Sequence, residues 1–165
     1  MLIWFATMSV VLTWMVFQSP ALDYRLVALG AVIPVVEVPF GAGPLHSLAA
    51  PTVVLAVTML LTQKRRMVRR RWLGISIGMY LHLVLDAAFT RSQSFWWPFL
   101  GVGFAPGSAP ELSRGLLTAG MELVGIGVGM WAFGRFGLDD PARRRKFWRT
   151  GQLDRSIMGE AERGC

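Results

Sequence analysis

The chain has 165 residues, enough for one domain. Hydrophobic residues make up 53% of it and mean hydropathy is +0.46, which excludes an ordinary soluble domain and predicts an integral membrane protein. The net charge of +7 is carried in blocks: six of seventeen basic residues fall in Lys64 to Arg71 and five in Arg143 to Arg149. Basic blocks beside membrane spans mark the cytoplasmic side and touch anionic headgroups. A nucleic-acid surface instead interleaves basic with polar and aromatic residues over a folded face, so no nucleic-acid partner is expected. Cys165 is the only cysteine and excludes both a disulfide framework and a cysteine metal site.

Taken in chain order, the first apolar run covers Met1 to Phe17; without a basic start or a small-residue cleavage pattern it is expected to be a retained span. The short polar link QSPALDYR follows. The second run, Leu26 to Val38, is short and contains Pro34 and Glu37, so a broken or tilted helix is expected. Further runs cover about Leu45 to Thr62, Trp72 to Phe89 and Gly115 to Gly134. The expected fold is therefore all-α: a bundle of five transmembrane helices over residues 1–136, followed by a basic cytoplasmic tail over 137–165. From Arg135 onward the polar composition predicts a segment partly disordered or lying along the membrane.

Placing the Lys64 to Arg71 block in the cytoplasm fixes the rest by alternation. Arg25 and the tail then fall on the same side, although neither set the orientation. The N-terminus is outside, the C-terminus cytoplasmic. The segment EVPFGAGPLHS and the stretch from Arg91 to Arg114 face outward, with the aromatic group Phe95 to Phe99 at the interface. In the last run, glycines at small-xxx-small spacing predict close helix packing within the bundle.

Five ionisable residues lie in or beside these spans: Glu37, His46, His82, Asp86 and Glu122. His82 and Asp86, four apart, share one helix face. At about 1.5 Å rise per residue, Asp86 lies roughly 5 Å below the outer edge, His82 and Glu122 roughly 11 Å, and Glu37 and His46 within about 3 Å. All five thus share the outer half of the membrane. Each lone ionised group there costs about 2.5 to 3.5 kcal/mol, so they are expected to satisfy one another or a bound ion. Two imidazoles with two or three carboxylates suit zinc, or manganese or iron with more oxygen ligands. A plain hydrogen-bonded set is the alternative: His82 with Asp86 locking one span, Glu37 with Arg91, and Glu122 on a backbone group. No His-Glu-x-x-His, Gly-x-Ser-x-Gly, phosphate loop or Cys-x-x-Cys competes.

The residues IPVVEV, GPLHS, HLVLD and Trp97-Pro98 resemble, in order, the motifs of the membrane-bound metal-dependent hydrolases, bacterial proteins related to zinc-dependent phospholipase C and P1 nuclease. The resemblance covers roughly residues 25 to 105. It departs where the family has two aspartates (here Val35 and Glu37), a following histidine (Val38), a histidine before Gly-x-Thr-His-Ser (Gly41) and its threonine (Leu45). It implies a multi-pass protein of the bacterial cytoplasmic membrane with one divalent ion, zinc first, held by Glu37, His46, His82 and Asp86. The implied substrate is a lipid or lipid-linked ester, phosphoester first, with membrane lipids as surroundings. Glu122 is the candidate general base. Ser47, Arg91, Trp97 and Arg114 are the candidate substrate-binding residues, the two arginines for an anionic group. Ser47 is also expected to cap the helix that follows it. The second reading is a non-catalytic membrane subunit whose polar cluster is structural and whose basic cytoplasmic segments dock a protein partner or anionic lipid. A transporter component is a third, disfavoured by the lack of an internal repeat.

Overall fold

Glycines decide where the helices of this chain can meet, because only a residue without a Cβ lets two backbones approach closely. The computed structural model describes residues 1–40, 43–101 and 115–158, and among these every regular element is helical. α1 is Leu2–Phe17 and α2 is Tyr24–Val32, which continues as a 3-10 helix over Ile33–Phe40. A 3-10 turn at Pro44–His46 leads into α3, Ala49–Leu61, and α4 is Arg66–Leu85. A 3-10 turn at Ala88–Thr90 and the short α5, Ser92–Phe95, follow. α6 is Leu116–Arg135, α7 is Pro141–Thr150, and a last 3-10 turn covers Arg155–Ile157.

The most extensive helix contact joins α2 to α4. A Cβ on Gly30 would stand 2.1 Å from the Ile75 carbonyl oxygen, and one on Gly78 2.1 Å from that of Val27, so neither position admits a side chain without moving a backbone. α1 lies across this pair and also packs on α6. There Gly125 and Gly129 supply the small-xxx-small spacing: a Cβ on Gly125 would be 2.7 Å from the Trp4 Cα, and one on Gly129 3.0 Å from the Thr7 methyl. The expected close packing of that run is this contact. On α1 the inward stripe is Phe5, Ser9 and Thr13, all at most 1% exposed and spaced four apart, as a helix requires.

Of the five expected spans, α6 is long and apolar enough to cross a membrane, with mean hydropathy 1.5. α1 and α3 are apolar but shorter, at 16 and 13 residues. The second run is broken as its proline predicts: regular α-helix ends at Val32 and the chain tightens to 3-10 geometry. α4 begins inside the basic block, since arginine and methionine are good helix formers, and stops at Leu85. The next residues curl away, with Ala87 in the left-handed region at φ 53.

One expectation is corrected here. Through residue 158 the C-terminal segment is folded against the bundle. Asp140 caps α7, its carboxylate accepting the Ala142 N–H at 2.9 Å, and Gly151 closes the helix at φ 70. The Gly151 carbonyl then accepts the Tyr24 N–H at 2.8 Å, and the Arg25 guanidinium donates to the Trp148 carbonyl. Leu153 and Ile157, four apart, are buried with Val11, Leu22, Tyr24, Ala132 and Phe136. The basic run masked this in the sequence, because Arg143 to Arg149 dominates the composition while the anchoring apolar residues come after it.

Gly78→Val should lower stability by about 1 to 3 kcal/mol, since the overpacked contact is backbone on backbone; a thermal melt of the detergent-purified chain measures it. The C-terminal docking carries a pH dependence. Asp154 is held down to about 2 by the Ser156 N–H and by Lys146, whose Nζ is 3.1 Å away. Burial pushes the Asp23 carboxyl up, but Arg25 and Arg71 outweigh it and leave it below its usual range. A depressed carboxylate stabilises the fold above its unfolded pKa, near about 4, and that contribution is lost as pH falls through the folded value. Amide exchange across residues 141–157 should therefore quicken between about pH 4 and pH 2. In Asp154→Asn that pH step should flatten.

Candidate functional site

Proline 34 starts the site. In a 3-10 helix its N–H would point at the Ala31 carbonyl, and proline has none. That carbonyl instead faces α4 and takes the His82 Nδ1 at 2.7 Å. A carbonyl can only accept, so His82 carries its proton on Nδ1, and in the neutral ring Nε2 holds the lone pair. His82 is fully buried, with the Phe5 ring of α1 over it at a centroid distance of 4.2 Å.

Glu37 sits on the same 3-10 helix, one turn beyond Pro34, and gathers the turn that follows. Its carboxylate accepts the Gly43 N–H at 3.1 Å and the Leu45 N–H at 3.0 Å. The His46 Nδ1 lies 3.2 Å from the same Oε2. Gly43 is needed for this wrap, since a Cβ there would be 2.8 Å from Oε1. With Nδ1 facing a carboxylate, His46 also keeps its lone pair on Nε2 in the neutral ring. It is 1% exposed, and its ring meets that of His82 edge-on with centroids 5.3 Å apart. Two histidines from separate elements are thus brought together, each oriented through Nδ1 by an acceptor. Metal-binding imidazoles are held in the same way by their outer partners.

Asp86 ends α4, its N–H bonded to the His82 carbonyl at 2.8 Å, and its carboxylate is fully buried. Arg91 reaches back to it, Nη2 to Oδ2 at 3.0 Å, while remaining 31% exposed. Phe95 of α5 accepts the Leu48 N–H at 2.9 Å, which ties the segment after Asp86 to the one after His46. Trp97 is half-buried beside it and Trp96 exposed.

The remaining expected residues fall as follows. Ser47 is buried and donates its hydroxyl to the Pro44 carbonyl at 2.6 Å; α3 has no side-chain cap, so the expected cap does not form. Glu122 on α6 binds the first turn of α1, pairing with the Met1 amine at 2.7 Å and accepting the Trp4 N–H at 3.1 Å. Arg114, like Gly41, lies outside the described residues. Phe5, Ala31 and Gly43 were not singled out in the sequence. The proline three places after Ala31 was the available signal for that carbonyl; Phe5 gave none.

As a place for a divalent ion, the donor chemistry fits in part. His46 and His82 supply two imidazoles, each oriented through Nδ1, and Asp86 adds a buried carboxylate. Glu37 is occupied in orienting His46 and holding its turn. Among the described residues no three His, Cys, Asp or Glu side chains stand together at ligand spacing.

Glu37→Gln should cost about 1 to 3 kcal/mol of stability, because one amide oxygen replaces two carboxylate oxygens that serve three donors. A thermal melt compared with the wild type measures it. Compared with family models, curated proteins and solved structures, the chain matches none.

Proposed function

We propose that this chain is a multi-pass protein of the bacterial cytoplasmic membrane and a metal-dependent hydrolase acting from its outer face on a lipid or lipid-linked phosphoester. The observation that carries this reading is the pair of buried histidines, with ring centroids 5.3 Å apart and each oriented through Nδ1 by an oxygen acceptor. The order of Glu37, His46, His82, Asp86 and Trp97-Pro98 adds support, being the order of the family motifs the chain resembles. The basic blocks of α4 and α7 meet the start of α2, through Arg71 on Asp23 and the Trp148 carbonyl on Arg25, while His82 meets its end at Ala31, which suits the positive-inside arrangement.

In this reading one ion, zinc first, would take His46 and His82, with Asp86 turning from Arg91 to join them when the ion binds, and Glu37 orients His46 rather than completing the ligand set. Such an ion, when bound, is a Lewis acid that polarises the phosphoester and acidifies water. The chain's own residues do the rest. Arg91 is already aimed at Asp86 from the rim and supplies the cation for the phosphate. The Phe5 ring covers His82 and keeps bulk water from that side. Trp97 borders the entrance. Arg114 joins Arg91 as the second candidate for the anionic group. Glu122, the candidate base from the sequence, anchors α1 through Trp4 and has that as its work here.

A second reading is favoured by one observation: Glu37 and Asp86 already have strong partners in His46 and Arg91, as a purely structural polar cluster would. Metal analysis of the full chain, purified in detergent without chelator, separates the two. The hydrolase reading expects about one equivalent of divalent metal in the wild type and loss of it in His82→Ala and Asp86→Ala. It also expects turnover of a phosphodiester or lipid ester that disappears in both variants. Wild type without stoichiometric metal would sink it, and metal without turnover would leave the structural cluster. Orientation has its own measurement: a cysteine at Gln93, which is exposed, should react in whole cells with an impermeant thiol reagent.

A further inference from the structure

Away from the histidines, at the other end of the bundle, α3 and α4 diverge around an apolar groove of about 390 Å³. Val54, Val57, Thr58 and Leu61 line it from α3, at the spacing of one helix face, and Trp72 and Ile75 from α4. Val57, Leu61 and Trp72 are 46%, 80% and 50% exposed. The lining is almost wholly apolar, and the Thr62 hydroxyl is spent on the Thr58 carbonyl. Toward the histidine end the groove is closed by a bond between helices, Thr52 Oγ1 to Tyr80 Oη at 2.8 Å.

At the end lined by Leu61, Thr62 and Trp72 the chain passes into the basic block. Lys64 and Arg65 form the turn after Thr62, and Arg69 precedes Trp72 by three residues on the same α4 face. No acidic residue lies in the first turn of α4. Asp23 binds Arg71 at 3.4 Å, but among the described residues no carboxylate pairs with Lys64, Arg65 or Arg69. An apolar groove with three cations beside it, none paired with a carboxylate among the described residues, suits an acyl chain carrying an anionic head.

We propose that the α3–α4 groove binds one anionic phospholipid of the cytoplasmic leaflet, its acyl chain against Val57, Leu61 and Trp72 and its phosphate on Lys64, Arg65 and Arg69. This rests on the membrane reading above but not on hydrolysis, because the groove lies at the end opposite the histidines. The lipid is held, not cleaved, and it fills the groove between α3 and α4.

The test is native mass spectrometry of the full chain in detergent, titrated with phosphatidylglycerol or with phosphatidylcholine of the same chains. One phosphatidylglycerol should be retained in preference to phosphatidylcholine. The triple variant Lys64→Gln, Arg65→Gln, Arg69→Gln should weaken phosphatidylglycerol at least roughly tenfold and leave phosphatidylcholine unchanged. Val57→Trp, at an exposed position, should fill the groove and weaken both. Equal retention of the two lipids, or unchanged retention in either variant, would overturn the site. So would glycerol phosphate competing as well as the lipid, which would mean that the groove takes no chain. A dimer abolished by Val57→Trp would assign the groove to a second copy instead. Recovery of the chain in buffer without detergent would defeat the membrane reading itself, a different failure from a membrane protein that retains no phosphatidylglycerol.

Discussion

The contact between α2 and α4 supports the rest of the molecule. Gly30 and Gly78 let two backbones come within a distance that any Cβ would forbid, and that distance is what puts the Ala31 carbonyl within 2.7 Å of His82. Widen the contact by one methyl group and the histidine loses the partner that fixes its tautomer. α1 then closes over the same place, held by its own glycine contact to α6, and lays Phe5 on the imidazole. Packing and site chemistry are thus one constraint, met by residues that have no side chain.

Around that contact the two carboxylates are partnered in a definite pattern. Glu37 serves the Gly43 to His46 turn and Asp86 serves Arg91, so each carboxylate neutralises or orders a neighbour before any ligand arrives. Burying such groups without partners would cost several kcal/mol each, and the pairs remove most of that penalty. Each imidazole is likewise fixed in orientation through its Nδ1 side, His46 by Glu37 and His82 by the Ala31 carbonyl. Preorganisation of this kind is compatible with a metal ligand pair and equally with a rigid polar core, which is why metal content separates the two readings.

Much of this was legible in the sequence, and the misses have physical causes. Apolar runs located α1, α3 and α6 to within a few residues and placed α4 without its first turns, which start at Arg66 rather than Trp72; Pro34 announced the break after α2. Residue type and spacing picked out Glu37, His46, His82 and Asp86, but not which would face which. A period of 3.6 says that His82 and Asp86 share a face; it cannot say that Asp86 ends the helix and turns to Arg91. Ser47 suited a helix cap by type, yet its hydroxyl found the Pro44 carbonyl because the 3-10 turn brings that oxygen closer. The C-terminal segment misled through composition. Seven residues rich in arginine and lysine outweighed Leu153 and Ile157, whose burial depends on a glycine at 151 fitting against Asp23 and Arg25.

The switch to 3-10 geometry after Val32 has a consequence of length. Its nine α-helical and eight 3-10 residues together reach about 30 Å, where the same stretch wound entirely as α-helix would reach only about 25 Å. The hydrocarbon core of a bilayer is about 30 Å thick. The proline that uncovers a carbonyl for His82 therefore also draws the segment out toward that length, and the stretched part ends shortly before the turn that carries His46.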